Sequence, residues 1–335
     1  MDLPVESQDA LYRSLERMGA IERGERPLLV ALPGGVSSLI VRVERARGPI
    51  CVKQALPRLK VEQEWLAPVE RNSAELAWFN AVAAIAPDAV PRIVGADAEA
   101  RAFAMEYLAP ERFANWKTQL LDGTIETATA RRVGALLGTI HAATAAQPRL
   151  AAEFANDATF FAIRLEPYLL GAARAHPECR AQLQALVEVT ARTRCVLVHG
   201  DVSPKNILIG ASGPVLLDAE CAWWGEPAFD LAFCLNHLLL KCLWRPAAAG
   251  QYLACFDALA LTYFERVDWE PAAALEERCA RLLPGLMLAR IDGKSPVEYL
   301  TAAADKQRVR DFAVGRLLQP ERRLASLRSA WAQRP

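Results

Sequence analysis

Residues 196–209 read VLVHGDVSPKNILI, which sets an Asp and an Asn five positions apart between two apolar runs, with a His just ahead of the Asp. Short apolar runs flanked by polar turn residues read as strands joined by a tight loop. An Asp that opens such a loop and an Asn that closes it can divide two tasks. The carboxylate can orient a hydroxyl and accept its proton, and the amide oxygen can ligate a hard cation. Phosphoryl transfer sets a protein these tasks, because the transferred group needs positioning and charge stabilisation more than covalent chemistry. Asp201 is therefore expected as the base and Asn206 as a metal ligand. His199 is expected to be structural, bonding the loop backbone.

The next stretch adds to this pattern. PVLLDAE, residues 214–220, reads as a strand that ends in Asp218 and Glu220. Two carboxylates two positions apart beyond a buried strand suit an oxygen-loving cation such as magnesium, and the distance from Asn206 to Asp218 fits a hairpin. The alternative is that these acids only cap a turn. Upstream, ICVKQA places Lys53 in a β-rich run, and Glu75 lies on the following helix within ERNSAELAWF. A strand lysine held by a helix glutamate is a way to hold ATP phosphates; by itself Lys53 also fits a strand edge. The loop LPGGVSSLI could offer the backbone N–H groups of Gly35, Val36, Ser37 and Ser38 to phosphates, or be only a turn. AFAMEYL would lie beside adenine, with the backbone of Glu106 and Leu108 bonding the base and Met105 packing behind it.

These groups need a scaffold. The chain has 335 residues, is 53% hydrophobic and 23% charged, and balances 39 basic against 39 acidic residues. That is enough to bury a core and argues against disorder, and neutrality removes the simplest case for a nucleic-acid or membrane surface. The first 19 residues carry acids and no apolar leader, and FDLAFCLNHLLLKCLW, residues 229–244, is broken by Asp230, Asn236, His237 and Lys241. It reads as a buried helix and not a span. Eight scattered cysteines without a C-x-x-C pair read as buried free thiols, so a cytoplasmic location is expected.

Along the chain, residues 1–23 have helical spacing, with Leu11, Leu15 and Met18 on one face. Residues 27–55 form three β-rich runs, 70–86 a helix, and 90–97 and 102–108 two more strands. After Pro110 helices dominate, at RRVGALLGTIHAATA and over 156–170, 178–193, 227–244, 249–265 and 271–290. The small strand cluster around HGD interrupts them. The layout is α+β and two-lobed.

HGDVSPKN and LLDAE together resemble the catalytic and metal motifs of the aminoglycoside phosphotransferase and choline kinase family, over roughly residues 27 to 300. The resemblance implies a protein-kinase-like fold. A nucleotide-binding N-lobe of antiparallel sheet plus helix would span residues 1–108. A mainly helical C-lobe, 109–335, would carry the catalytic groups and the acceptor. It also implies ATP and Mg2+, with Asp201 as base, Asn206 and Asp218 on the metal, and Lys53 paired with Glu75. A narrower likeness, to methylthioribose kinases, runs through VKQALPRLKVEQEWLAPVERNSAE and DAECAWWGEPAFDLA. Those kinases hold their sugar with two adjacent late arginines, whereas GLMLARIDGKSPVEYL offers only Arg290, preceded by Ala289.

The expected activity is transfer of the γ-phosphate to a hydroxyl of a small molecule, sugar-like or an amino alcohol. An aminoglycoside acceptor and a nucleotide-binding pseudokinase are the alternatives. A protein kinase is disfavoured, since no long segment and no A-P-E follow Asp218. Trp223, Trp224 and Arg290 are candidates for the acceptor pocket; the tryptophans read first as core packing, and Arg290 as a surface or ion-pair residue.

Overall fold

The structure is a computed structural model that describes residues 5–33, 38–55 and 71–333. The chain divides into two compact units, Met1–Phe113 and Ala114–Pro335.

In the first unit, helix α1 (Val5–Arg17) precedes strands β1 (Leu28–Ala31), β2 (Ser38–Glu44) and β3 (Ile50–Ala55). Helix α2 (Arg71–Ala83) and strands β4 (Ile93–Asp97) and β5 (Ala102–Glu106) follow. The described residues form a five-stranded antiparallel sheet in the order β1-β2-β3-β5-β4. Leu11, Leu15 and Met18, one face of α1, are buried with Val41, Val43, Ile50, Val52 and Ala104 of the sheet. A polar contact fixes the helix end: buried Asp97 accepts from Ser14 Oγ at 2.6 Å and from Arg17 Nη2 at 2.6 Å. Asp97 also accepts from Ala100 N at 3.2 Å, which makes the acidic turn between β4 and β5.

The second unit is mainly helical with two small sheets. One sheet pairs Ala114–Asn115, Ile207–Ile209 and Pro214–Leu216; the other pairs Val196–Val198 with Trp223–Gly225. Helix Pro227–Trp244 has the bounds expected from its sequence, and its residues from 227 to 242 are all buried. The helices Thr127–Thr144 and Ala249–Phe264 approach very closely. A Cβ on Gly134 would stand 2.2 Å from Leu259 O, so only glycine permits the contact. That approach brings His141 against Tyr263.

Two features depart from the sequence expectation. Residues 156–170 are not one regular helix: a short α-turn, Asp157–Phe160, runs into a π-helical segment, Phe161–Leu170. Pro167 lies inside that segment and lacks the N–H that a regular turn uses, and the wider turn absorbs it. Beyond the expected helices, Ala303–Leu318 and Leu324–Ala332 add two more, which bury Phe312 against Trp331. All eight cysteines are free. No helix among the described residues is long and apolar enough to cross a membrane.

Leu15 is fully buried, so Leu15→Ala should cost about 2–5 kcal/mol in urea denaturation. A loss below about 1 kcal/mol would place α1 outside the core of its unit.

Candidate active site

Strand Val196–Val198 delivers the chain into His199-Gly200-Asp201. Gly200 has φ +80°, and a Cβ there would meet Cys221 O at 2.7 Å, so the turn requires glycine. Asp230, in the first turn of helix Pro227–Trp244, is fully buried and holds this turn by its backbone. Its two carboxylate oxygens accept from His199 N and Gly200 N, each at 2.8 Å. His141 backs the carboxylate, with Nε2 3.3 Å from Asp230 Oδ2 and Nδ1 2.8 Å from Tyr263 Oη. The Asp230 carboxylate can only accept, so His141 presents Nε2–H to it, while burial raises the Tyr263 hydroxyl well above its ordinary pKa.

His199 has the expected structural role. Burial lowers its pKa, so it is neutral. Its Nδ1 accepts from Asp201 N at 3.1 Å, and its Nε2–H donates to Leu217 O at 3.1 Å. One imidazole thus ties the Asp201 backbone to the strand that leads to Asp218.

The Asp201 carboxylate is buried, and both of its cationic partners sit on one oxygen. Arg164 Nη2 is 2.9 Å and Lys205 Nζ 3.3 Å from Oδ2. Among the described residues Oδ1 has no hydrogen bond or ion pair, so it is the oxygen left to meet a hydroxyl. Burial alone would raise this carboxyl, but Lys205 and Arg164 outweigh it and hold the pKa below its ordinary value. Arg164 lies in the π-helical segment and also donates to Gly200 O at 2.6 Å.

The hairpin positions the residues expected to hold a cation. Ile207 pairs with Leu216, and Leu217 N donates to Asn206 O at 2.9 Å, which sets Asn206 beside Asp218. Asn206 Nδ2 donates to Asp201 O at 3.0 Å, so the amide nitrogen faces the loop and the oxygen is the atom left for a cation. Asp218 has φ +67°, a left-handed conformation that costs a non-glycine residue roughly 1–2 kcal/mol. Glu220 is half-buried two positions on. No three His, Cys, Asp or Glu side chains among the described residues are gathered into a metal centre. Asn206 and Asp218 supply hard oxygen donors alone, which fits magnesium with its remaining ligands from phosphate and water.

In the first unit, Lys53 on β3 and Glu75 on α2 form a buried ion pair, Nζ to Oε2 2.6 Å. Of the expected phosphate loop, Gly35, Val36 and Ser37 lie outside the described residues; Ser38 is buried at the start of β2, opposite Ala55. Met105 and Glu106 end β5. The Glu106 N–H donates to Arg92 O at 2.9 Å, so its carbonyl is the backbone group it could offer adenine. Leu108 lies two residues past the end of the strand.

The three acceptor candidates fall in different settings. Trp223 is buried and stacks on Phe160, centroids 4.2 Å apart and planes at 15°, as a core residue does. Trp224 alternates to the other face of the strand and is half-buried. Arg290 is no surface residue: it is buried, bonded to Ser295 and, at 3.4 Å, to Tyr168 Oη. Sequence reasoning missed Arg164, Lys205 and Asp230 as site residues. Lys205 lies within the quoted motif, and Asp230 was visible as an acid inside an apolar helix.

A sheet-plus-helix unit followed by a mainly helical one, with Asp201 buried at the head of a strand-flanked loop, is a protein-kinase-like fold. Residues 29–275 match the APH model, the phosphotransferase enzyme family, and the chain belongs to that family. It is a small-molecule kinase, transferring phosphate to a hydroxyl. A methylthioribose kinase from Geobacillus thermodenitrificans (strain NG80-2) is 24% identical over 275 residues, 74% of this chain and 68% of that one. An ethanolamine kinase from Plasmodium vivax is similar in fold, with TM-score 0.57 at 12% identity over 94% of this chain and 87% of that one. So is a spectinomycin phosphotransferase solved with ADP and spectinomycin, with TM-score 0.51 at 11% identity over the whole of both chains.

Lys205 contributes more than Arg164 to the depressed pKa of Asp201. Lys205→Met should therefore let Asp201 protonate at higher pH, and the acidic limb of kcat/KM should move to higher pH. An unmoved limb would mean that Asp201 ionisation does not set it.

Proposed function

We propose that this chain binds ATP with magnesium and transfers the γ-phosphoryl group to a hydroxyl of a small, sugar-like metabolite. One observation carries the reading: Asp201 has one oxygen clamped by Arg164 and Lys205 and the other unengaged, on a loop whose far end is Asn206. Bound MgATP would supply the phosphoryl group and neutralise charge as it transfers. Asn206 and Asp218, with Glu220 nearby, would hold the cation, and Lys53, set by Glu75, would hold the phosphates. The backbone at Ser38, Glu106 and Leu108 would seat the nucleotide, with Met105 behind adenine.

Asp201 works here as an orienting group first and a base second. A carboxylate with a lowered pKa is a weak base, but it stays charged at neutral pH and fixes the acceptor hydroxyl in line. In a loose transition state the hydroxyl proton leaves late, so strong basicity is not needed early. The relative named methylthioribose kinase supports a sugar-like acceptor. Only Arg290 stands where those kinases use two arginines, so methylthioribose itself is one candidate among small sugars. No catalytic group is lost, which supports turnover over a purely regulatory role.

Asp201→Asn should keep ATP affinity by calorimetry and lose about two to four decades of turnover in an ADP-release assay. Lys53→Ala should instead weaken both ATP binding and turnover. Near-normal turnover of Asp201→Asn would remove that residue from the mechanism.

A further inference from the structure

The helix that anchors the catalytic loop also carries His237 and Lys241, one turn apart on one face. Lys241 is 0% exposed, and its Nζ has no hydrogen-bond partner; it lies 4.1 Å from the centroid of the Tyr299 ring. Tyr299 Oη is 3.2 Å from His237 Nδ1, while His237 Nε2 is buried without a partner. Arg290 faces the same cluster from helix Ala272–Asp292. Its Nη1 bonds Ser295 Oγ at 3.0 Å, and its buried Nε has no partner. The segment after that helix ties the groups together: Val297 N donates to Arg290 O at 2.8 Å, two residues before Tyr299.

This cluster adjoins the catalytic loop. The Tyr168 ring has Arg290 at 5.7 Å from its centroid and Arg164 at 5.6 Å, and Arg164 is the residue bonded to Asp201. Phe233 bridges Tyr168 and His237, with centroids 5.6 and 5.9 Å away.

Lys241 Nζ and Arg290 Nε are donors outright, and His237 Nε2 donates in the tautomer whose Nδ1 accepts from Tyr299 Oη. Burial raises the Tyr299 hydroxyl above its ordinary pKa, so it stays protonated and is able to donate to His237 Nδ1. Arg290 Nε always carries its proton, and an ammonium has only donors. Among the described residues no carboxylate pairs with Lys241 or Arg290. The nearby acid, Glu298, is engaged by Lys117 at 2.5 Å. A buried ammonium without a counter-ion is costly. Burial, with Lys117 and Arg290 adding repulsion against the pull of Glu298, brings Lys241 down to about 7. Donors left without acceptors in a dry site are completed by a ligand that supplies the acceptors.

We propose that the acceptor carries an anionic group, a carboxylate or a phosphate, received by Lys241, His237 and Arg290 while its hydroxyl meets Asp201. This rests on the proposed phosphoryl transfer and narrows its substrate. A polycationic antibiotic or an amino alcohol would bring its charge against three buried donors and be rejected.

The test uses the full chain with MgATP and acceptors that share a polyol scaffold: glycerol, glycerate, glycerol 3-phosphate and 3-aminopropane-1,2-diol, with a matching set on a longer sugar. The kcat/KM of the anionic members should exceed that of the neutral and amino members by about tenfold or more, and the carboxylate and phosphate arms identify which anion fits. Lys241→Met should cut that preference by about 10–100-fold without lowering the melting temperature, since it removes an unpaired buried charge. Preference for a neutral or amino acceptor would overturn the proposal, as would an unchanged ratio in Lys241→Met. Calorimetry of the same acceptors without nucleotide separates the two claims. Turnover of none sinks the sugar-like acceptor of the proposed function, while tighter binding of the anionic members still supports the anion site and equal binding refutes it.

Discussion

The catalytic loop hangs on one buried carboxylate. Asp230 takes the N–H groups of both His199 and Gly200, two consecutive peptides of that turn. Hydrogen bonds to a charged group contribute about 1.5–3 kcal/mol each, so the pair is worth more than the left-handed strain accepted at Asp218. Its position follows from packing: the Gly134 contact lets two helices close, which sets His141 between Tyr263 and Asp230. From that anchor the order runs outward through the Gly200 turn and the His199 bridge to the two ends of the loop, Asp201 and Asn206.

Electrostatics then divides the site by sign. Arg164 and Lys205 take one oxygen of Asp201 and favour its ionised form, which leaves the other without a partner among the described residues. On the proposed reading Asn206 and Asp218 offer oxygens to a cation, and Lys241, His237 and Arg290 offer donors to an anion. The chain has 39 residues of each sign, yet it segregates them locally. Net neutrality therefore says nothing of what the site attracts.

Much of this was legible in the sequence because it is written at short range. HGDVSPKN, LLDAE, the β-rich runs of residues 27–55 and the helix at 227–244 each depend on neighbours close in the chain. Arg164 was not legible, because it reaches Gly200 and Asp201 from a π-helical turn 36 or more residues away, and no local pattern marks that turn. The helix Ala303–Leu318 was missed because charged residues are frequent in its sequence, and Leu324–Ala332 because it is only nine residues long, although Leu324, Leu327 and Trp331 have helical spacing. Asp230, His237 and Lys241 were visible as interruptions of an apolar run. Their spacing of seven and four places all three on one face, a signal of a buried functional stripe that hydropathy alone treats as noise.

The most direct test is a crystal structure with a non-hydrolysable ATP analogue, magnesium and the acceptor of highest kcat/KM. The account predicts the acceptor hydroxyl within hydrogen-bond distance of Asp201 on the oxygen not held by Arg164, and the cation between Asn206, Asp218 and the phosphates. A hydroxyl bonded elsewhere, with the cation coordinated by neither Asn206 nor Asp218, would contradict it.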